Sequence, residues 1–388
     1  MLEPPAIPAR FSIRDIFRES TNGFKTHRDH FAVAFTEDEM VERVDAMIAS
    51  NVTLSEIKAR YSLSDTSTWT VTAAREELKA LNNPHDSIVR CVYQPFDYRF
   101  TFFGNEMMDR PRIETGRHFL SENIGIGVGR QGLAVGDDFW NLVMIGRHIA
   151  NTNLFRRGGI QYFPTYLYPN ENRSLLDEIE KSDAPSGRHP NFSASLISDV
   201  SKKLHLNFQS EGAGDLKKTF GPEDVTAYVI SILHSVEYRN RYAEFLDIDY
   251  PRIPLTSDRD LFHDLVGYGL ELIRLHLMDK TAPPITSFPI DGNGEVDRIN
   301  FAAPKENHPG RVWINKTQYF EGVPANVWDF HVGGYRVCQK WLKDRKGQAL
   351  EYSEIEYFQK IVAALSETIR LMTEIDATID EHGGWPIQ

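Results

Sequence analysis

Gly127-Val128-Gly129-Arg130-Gln131-Gly132 is the stretch on which the fold turns. As Gly-x-Gly-x-x-Gly with a strand-like run before it, it matches a dinucleotide-binding fingerprint, which belongs to parallel α/β sheets. That fingerprint works only when a helix follows, so that its free amides face a pyrophosphate. Here Leu133-Ala134-Val135-Gly136-Asp137-Asp138 follows, with another glycine and no helical stripe. No carboxylate stands about 20 residues further on in a second strand, where a ribose would need it. The glycines therefore read as part of a strand ladder, and the fold class as α+β.

Outward from this point, the alternation of apolar and polar residues predicts strands at 88–93, 98–103, 123–128, 141–149, 160–167 and 311–320. Gly, Pro and Asp separate them. Residues 1–35 read as extended and loop-rich. Thr36 with Glu39 is a capping-box start for a helix to about residue 50, and short helices are expected from 53 and over 73–81. Residues 170–220 are polar and read as a loop-rich insertion, and helices return at 223–245 and 258–278. The C-terminal helix carries a second capping box, Ser353 with Glu356. Its seam of Ile355, Phe358, Val362, Leu365, Ile369, Met372 and Ile379 alternates spacings of three and four. The expected organisation is a connector with short helices (1–84), a mixed, mostly antiparallel β-rich domain (85–330, helical at 223–279) and a C-terminal helical spacer bundle (331–388).

Composition narrows the function classes. The 388 residues are 41% hydrophobic, enough to bury a sizeable core, and the net charge of −12 argues against a protein that simply coats nucleic acid. Two distant cysteines, Cys91 and Cys338, suggest no disulfide framework and fit a reducing cytosol. There is no apolar signal core after Met1 and no membrane-length apolar run, so the expected location is cytoplasmic, with no membrane partner. The charge is unevenly distributed. Between Lys79 and Lys181 there is no lysine but there are ten arginines. Arginine is a flat, permanently charged fork that grips a guanine edge or a phosphate with two parallel hydrogen bonds. From Pro84 to Asn170 nine arginines face eight acids, so any nucleic-acid site must be a local patch. The competing reading of the same arginines is a set of structural ion pairs.

Catalytic signals are missing. Asn83-Pro84-His85-Asp86 lacks the second proline and the aromatic of an amino-methyltransferase loop. Glu56-Ile57-Lys58 lies in a helical run without an upstream aspartate and reads as a solvated face. His27 and His30 have no further ligand at metal spacing, and no Gly-x-Ser-x-Gly elbow exists. The expectation is no catalytic residue, no metal and no cofactor in this chain.

A longer series does hold together. It comprises Tyr93-Gln94-Pro95-Phe96-Asp97-Tyr98-Arg99, Asp109-Arg110-Pro111-Arg112, Gly129-Arg130-Gln131 and Asn153-Leu154-Phe155-Arg156-Arg157-Gly158-Gly159. Val312-Trp313-Ile314-Asn315-Lys316-Thr317-Gln318-Tyr319-Phe320-Glu321 and Gly333-Gly334-Tyr335-Arg336-Val337 follow. In order and number, from about Gly23 to Ile379, these blocks resemble the C-terminal target-recognition region of type ISP restriction-modification enzymes and related N6-adenine DNA methyltransferases. The resemblance implies a bacterial or archaeal DNA sequence-recognition module in a phage-defence system. Its partners would be double-stranded DNA and methyltransferase, helicase and nuclease modules in cis or trans. S-adenosylmethionine, ATP and Mg would belong to the full-length enzyme.

Expected readers of bases or backbone are Arg130 with Gln131 and Arg156 with Arg157. Arg110, Arg112, Arg117 and Arg147 are expected on phosphates or as braces, Lys316 and Gln318 at the DNA, and Arg99 beside Asp97 as structural. The segment Gly23-Phe24-Lys25-Thr26-His27-Arg28-Asp29 resembles the place where such enzymes leave the methyltransferase fold. Lys25, Thr26 and Arg28 are its connector residues, and His27 stands where a glycine is usual. Two other classes stay open on the residues alone. One is a stand-alone nucleotide- or S-adenosylmethionine-binding enzyme using the 127–132 turn, and the other is a helical dimerisation protein using the C-terminal seam.

Overall fold

The computed structural model describes residues 11–130, 139–157, 159–169, 187–280, 282–306 and 308–387. Two four-stranded sheets carry the β-rich part. In the first, Thr21–Asn22, Gln161–Pro164, Gly125–Val128 and Val143–Gly146 lie side by side, all antiparallel. In the second, the order is Val33–Ala34, Asp97–Phe102, Ile88–Gln94 and Ile149–Ala150, the last pair parallel. The expected strand over 141–149 is thus two strands that pass from one sheet to the other through Arg147 and His148. Likewise 311–320 is a hairpin, Arg311–Trp313 with Tyr319–Glu321, turned by Asn315, whose carboxamide oxygen accepts from the Thr317 and Gln318 amides.

The glycines around the opening hexad make room for aromatic and branched side chains. The Phe119 and Tyr162 rings stack with centroids 4.3 Å apart, and a Cβ on Gly125 would fall 2.4 Å from Tyr162 and 2.6 Å from Phe119. A Cβ on Gly127 would meet Ile160 Cδ1 at 2.3 Å, and one on Gly129 would meet Phe155 at 3.0 Å. A strand with no side chains on these positions lets its neighbours close over it. Gln131 and the run 133–138 lie outside the described residues.

The N-terminal helices form as their caps predict. Thr36 caps Glu37–Ile48, and Thr53 with Glu56 makes a full capping box for Leu54–Arg60. Thr70 caps Val71–Ala80. Together with Phe31, Phe102 and Met107 these helices enclose a second, smaller core around Met40, Val44, Trp69 and Leu78.

Three boundaries differ from the expectation. Residues 223–245 form three helices, Pro222–His234, Val236–Arg241 and Ala243–Ile248. The break is at Ser235, where Asp376 from the C-terminal helix accepts the Ser235 hydroxyl at 2.5 Å and the Val236 amide at 3.0 Å. The C-terminal helix Tyr352–Glu381 begins ahead of the expected cap, with Glu351 and Glu354 as its box. Its seam is filled by this chain's own helices. Phe358, Val362, Leu365 and Ile379 are buried in the same core as Leu265, Leu272 and Leu233. Within the expected insertion, Ser193 caps a helix at Ala194–Leu204, while 170–186 lie outside the described residues.

Two imidazoles are enclosed in this core. The His276 and His234 rings meet edge to face at 5.3 Å, and Phe96 covers His276 at 5.0 Å. Burial, with the nearby Arg239 charge, pushes His276 down to about 3. Burial, then His276 and Arg239, hold His234 well below the ordinary imidazole range. An unfolded chain takes up protons near pH 6.5 where the folded one does not. Stability is therefore full above that pH and is lost as pH falls from 6.5 toward 3. His276 alone should remove about 2 kcal/mol by pH 5. Urea midpoints measured at about pH 7.5 and pH 5 should show the drop, and equal midpoints would refute it.

Candidate nucleic-acid interface

Three segments far apart in sequence are sewn together on one face. Phe24 donates its amide to the Ala150 carbonyl and accepts from Thr152, both at 2.8 Å. Lys25 and Arg110 exchange two backbone hydrogen bonds of 2.9 Å. The Asn153 amide donates to the Asn151 side chain at 2.8 Å, and the Arg156 amide donates to the Gly333 carbonyl at 2.7 Å. The result sets Lys25 against Arg110 and the 151–153 segment at a cleft, with Arg112 two residues beyond Arg110 and Arg156 and Arg157 a few residues beyond Asn153 in sequence. The lining of the cleft is Lys25, Thr26, His27, Asp29, Asn151 and Asn153, and its volume is about 240 Å³.

Arg110, Arg112, Arg156 and Arg157 are exposed. Among the described residues no ion pair or hydrogen bond involves the side chains of Lys25, Arg110, Arg112 or Arg157. The acids of the face are engaged. Asp109 pairs with the buried Arg28 at 2.6 Å and with His27. Desolvation opposes its charge, but the Arg28 and His27 contacts prevail and lower its pKa. Asp29 accepts from Thr26 and, at 2.9 Å, from the Tyr93 hydroxyl.

The backbone here is strained. His27, Arg112 and Arg157 hold φ values of 57°, 63° and 59°, a left-handed conformation costly to residues with a Cβ. His27 thus adopts the conformation that a glycine would take without strain. Such outliers gather where a site is held in a set shape.

Other expected residues land elsewhere. Arg28 is buried, its guanidinium 3.9 Å over the Trp69 ring and bonded to the Met107 carbonyl. Thr26 is buried as well, so of the connector triplet only Lys25 reaches the surface. Arg117 donates to the Tyr168 and Pro169 carbonyls at 2.5 and 3.2 Å, a brace of the chain leaving the sheet. Arg147 pairs with Asp279 beside a different cleft lined by Leu120, Ile124 and Leu277. Gln318 is buried and bonded to Gly294, Asn315 and Ile290, which spends its side chain on the hairpin loop. Lys316 is exposed on that same turn. Arg99 is bound to Asp97 through two hydrogen bonds, as a structural residue would be.

Arg130 lies two residues past the strand Gly125–Val128, which pairs with Val143–Gly146. It is half-buried, 5.5 Å over the Tyr250 ring, which Arg14 also covers at 4.7 Å. Ahead of the strand Val143–Gly146, Phe139 is 71% exposed beside the buried Trp140, whose indole N–H donates to the Gly129 carbonyl. Sequence reasoning did not single out Asn151, Asn153 and Phe139. Of these only Asn153 was visible in a motif, as the first residue of the block that leads into Arg156-Arg157.

The described residues hold no cluster of three or more His, Cys, Asp or Glu side chains able to bind a metal ion. None of their helices is long and apolar enough to cross a membrane.

Comparisons with known proteins extend this picture. The family model described as the type ISP C-terminal specificity domain matches residues 15–374. Among solved structures, the chain is similar to the ATP-dependent type ISP restriction-modification enzyme LlaBIII bound to DNA. The TM-score is 0.66 and the identity 18%, covering 93% of this chain and 24% of that one. A nuclease-deletion mutant of the type ISP enzyme LlaGI, in complex with a DNA substrate mimic, gives a TM-score of 0.62 at 18% identity, covering 94% of this chain and 33% of that one. The DrdV–DNA complex gives 0.67 at 20% identity, covering 92% of this chain and 36% of that one. The chain thus spans about a quarter to a third of the length of these proteins, and the likeness concerns the fold. No curated protein matches it.

Proposed function

Because the chain belongs to the type ISP C-terminal specificity domain family, we propose that it reads a specific duplex DNA site and presents it to catalytic modules carried elsewhere. Specificity domains of this family are recognition modules, not catalytic ones. In this reading the chain performs no chemistry itself, and S-adenosylmethionine, ATP and Mg bind to the methyltransferase and helicase–nuclease modules. The observation that carries the proposal is the pairing of Lys25 with the exposed Arg110 at a polar cleft, with the exposed Arg112, Arg156 and Arg157 close by in sequence, on a protein whose net charge is −12. In an acidic protein, surface cations such as Arg110, Arg112 and Arg157, with no acidic partner among the described residues, form a local potential that favours a polyanion. The complexes of LlaBIII and DrdV with DNA support the same reading.

Base reading is assigned to Arg130 and Gln131, together with Arg156. Backbone contacts are assigned to Arg110, Arg112 and Arg157. Selection of bound duplexes from a randomised library at low salt tests this. A single enriched motif is expected, and a library that stays random would overturn the proposal. Arg130→Lys keeps the charge but loses the fork, so it should relax one position of the motif. Arg112→Ala should instead weaken all sequences equally and lower the salt slope by about one unit.

A further inference from the structure

The cleft between residues 25–29 and 151–153 is polar and opens to solvent beside Lys25. Its floor is Thr26 and Asn151, 1% and 2% exposed. Asp29 also lines it, but both of its oxygens already accept hydrogen bonds, from the Thr26 and Tyr93 hydroxyls. Asn153 is held by its amide on Asn151, which leaves its exposed carboxamide free to donate into the cleft mouth. Lys25 is pinned at the backbone by Arg110 on one side, and its neighbour Phe24 is pinned by Ala150 and Thr152 on the other. Only its ammonium is left to move. Neither His27 nor Arg28 competes for an incoming anion's place, because both are turned onto Asp109.

We infer that this cleft seats one backbone phosphate of duplex DNA. Lys25 and Asn153 donate directly to its oxygens, while Arg110 and Arg157 reach the phosphates on either side. The inference rests on the DNA-recognition reading above and names a contact within it. A charged and a neutral donor together suit a phosphodiester, which offers two acceptor oxygens and a single charge. Cations on three chain segments lie close to the cleft residues in sequence, Lys25, Arg110 with Arg112, and Arg157, more than a lone anion or mononucleotide would need. His27, which lines the seat, holds a left-handed backbone, as residues at a pre-shaped site often do.

The two donors have different signatures in salt. Binding of the purified chain to a random-sequence duplex of about 30 base pairs should be followed by anisotropy between about 50 and 200 mM salt. Lys25→Ala should lower the slope of log affinity against log salt by about 0.9, with a several-fold loss of affinity. Asn153→Ala should cost several-fold in affinity and leave the slope unchanged, because no charge is lost. Lys25→Arg should keep the slope. Lys217→Ala, in the turn at 215–219, controls for loss of a surface charge and should do nothing. Should Lys25→Ala fold poorly by circular dichroism, Lys25→Gln keeps most of the stem and carries the same expectation. If wild type binds with a steep slope but both cleft variants match Lys217→Ala, the seat is wrong and the recognition proposal stands. A wild-type chain that shows no salt-sensitive duplex binding overturns both.

Discussion

Asp97→Ala should cost about 3–5 kcal/mol of folding stability, enough to leave the chain largely unfolded at ordinary temperature. Asp97 is 1% exposed and is shared by two arginines. Arg99 binds its Oδ2 at 2.7 and 2.9 Å, and Arg345 reaches Oδ1 at 3.2 Å. Both guanidiniums are nearly buried and stacked on rings. Arg99 lies over Phe35 and Tyr93, at 4.1 and 4.2 Å, and Arg345 lies over Trp341 at 3.5 Å. Glu354 and Asp344 complete the group at 2.8 and 3.3 Å. Removing Asp97 leaves two nearly buried cations with only the partly exposed Glu354 and Asp344 as partners, and most of the cost is that of charge left under-compensated in a buried site rather than of the lost contact. The same cluster ties the second sheet to the C-terminal helices, so its loss should unfold both together. Urea denaturation followed by tryptophan fluorescence checks this. A loss below about 1 kcal/mol would show that water reaches the arginines. The triple replacement Asp97→Ala, Arg99→Met, Arg345→Leu should recover much of the loss, since an apolar set of similar volume avoids the desolvation.

The cluster also marks how far the sequence could be read. Arg99 beside Asp97 was legible as structural because a two-residue spacing puts both side chains on the same face of a strand. Arg345 was not, because 248 residues separate it from its partner and no periodicity encodes that meeting. The arginine-rich window was legible as a composition, but which arginines face outward was decided by tertiary partners. Arg117 found the carbonyls of Tyr168 and Pro169, and Arg147 found Asp279. Arg110 and Arg112 found none among the described residues. The break at Ser235 belongs to the same class, since Asp376 supplies the cap from 141 residues away. Helices whose caps are local, such as Glu37–Ile48 and Leu54–Arg60, were read correctly from Thr36 and Thr53. His27 is intermediate. A family position that favours glycine was visible, and its physical reason, a φ of 57°, was visible only in the backbone.

Gly125→Ala should destabilise the first sheet by about 1–3 kcal/mol or more, and Gly127→Ala by less. The difference follows from what each new Cβ would meet. At Gly125 it lies 2.4 Å from Tyr162 and 2.6 Å from Phe119, two stacked rings that cannot retreat without breaking their own packing. At Gly127 the nearest atom is Cδ1 of Ile160, the far end of a flexible side chain, at 2.3 Å. Shortening that partner tests the point. Ile160→Val removes Cδ1, so the pair Gly127→Ala, Ile160→Val should be less destabilised than the sum of its single changes, with a coupling of about 0.5 kcal/mol or more. A nucleotide-binding turn makes the opposite forecast. There Gly127→Ala would leave the fold intact and abolish binding of an adenine nucleotide or S-adenosylmethionine, because the glycines would serve a pyrophosphate approach rather than a packed strand. Denaturation curves for the four proteins of the cycle, with calorimetric titration of the cofactors into wild type, separate the two. Additive stability losses together with cofactor heats that vanish in Gly127→Ala would overturn the packing role. Coupled losses would hold the hexad to the sheet, where Tyr162 and Ile160 occupy the space its side chains leave empty.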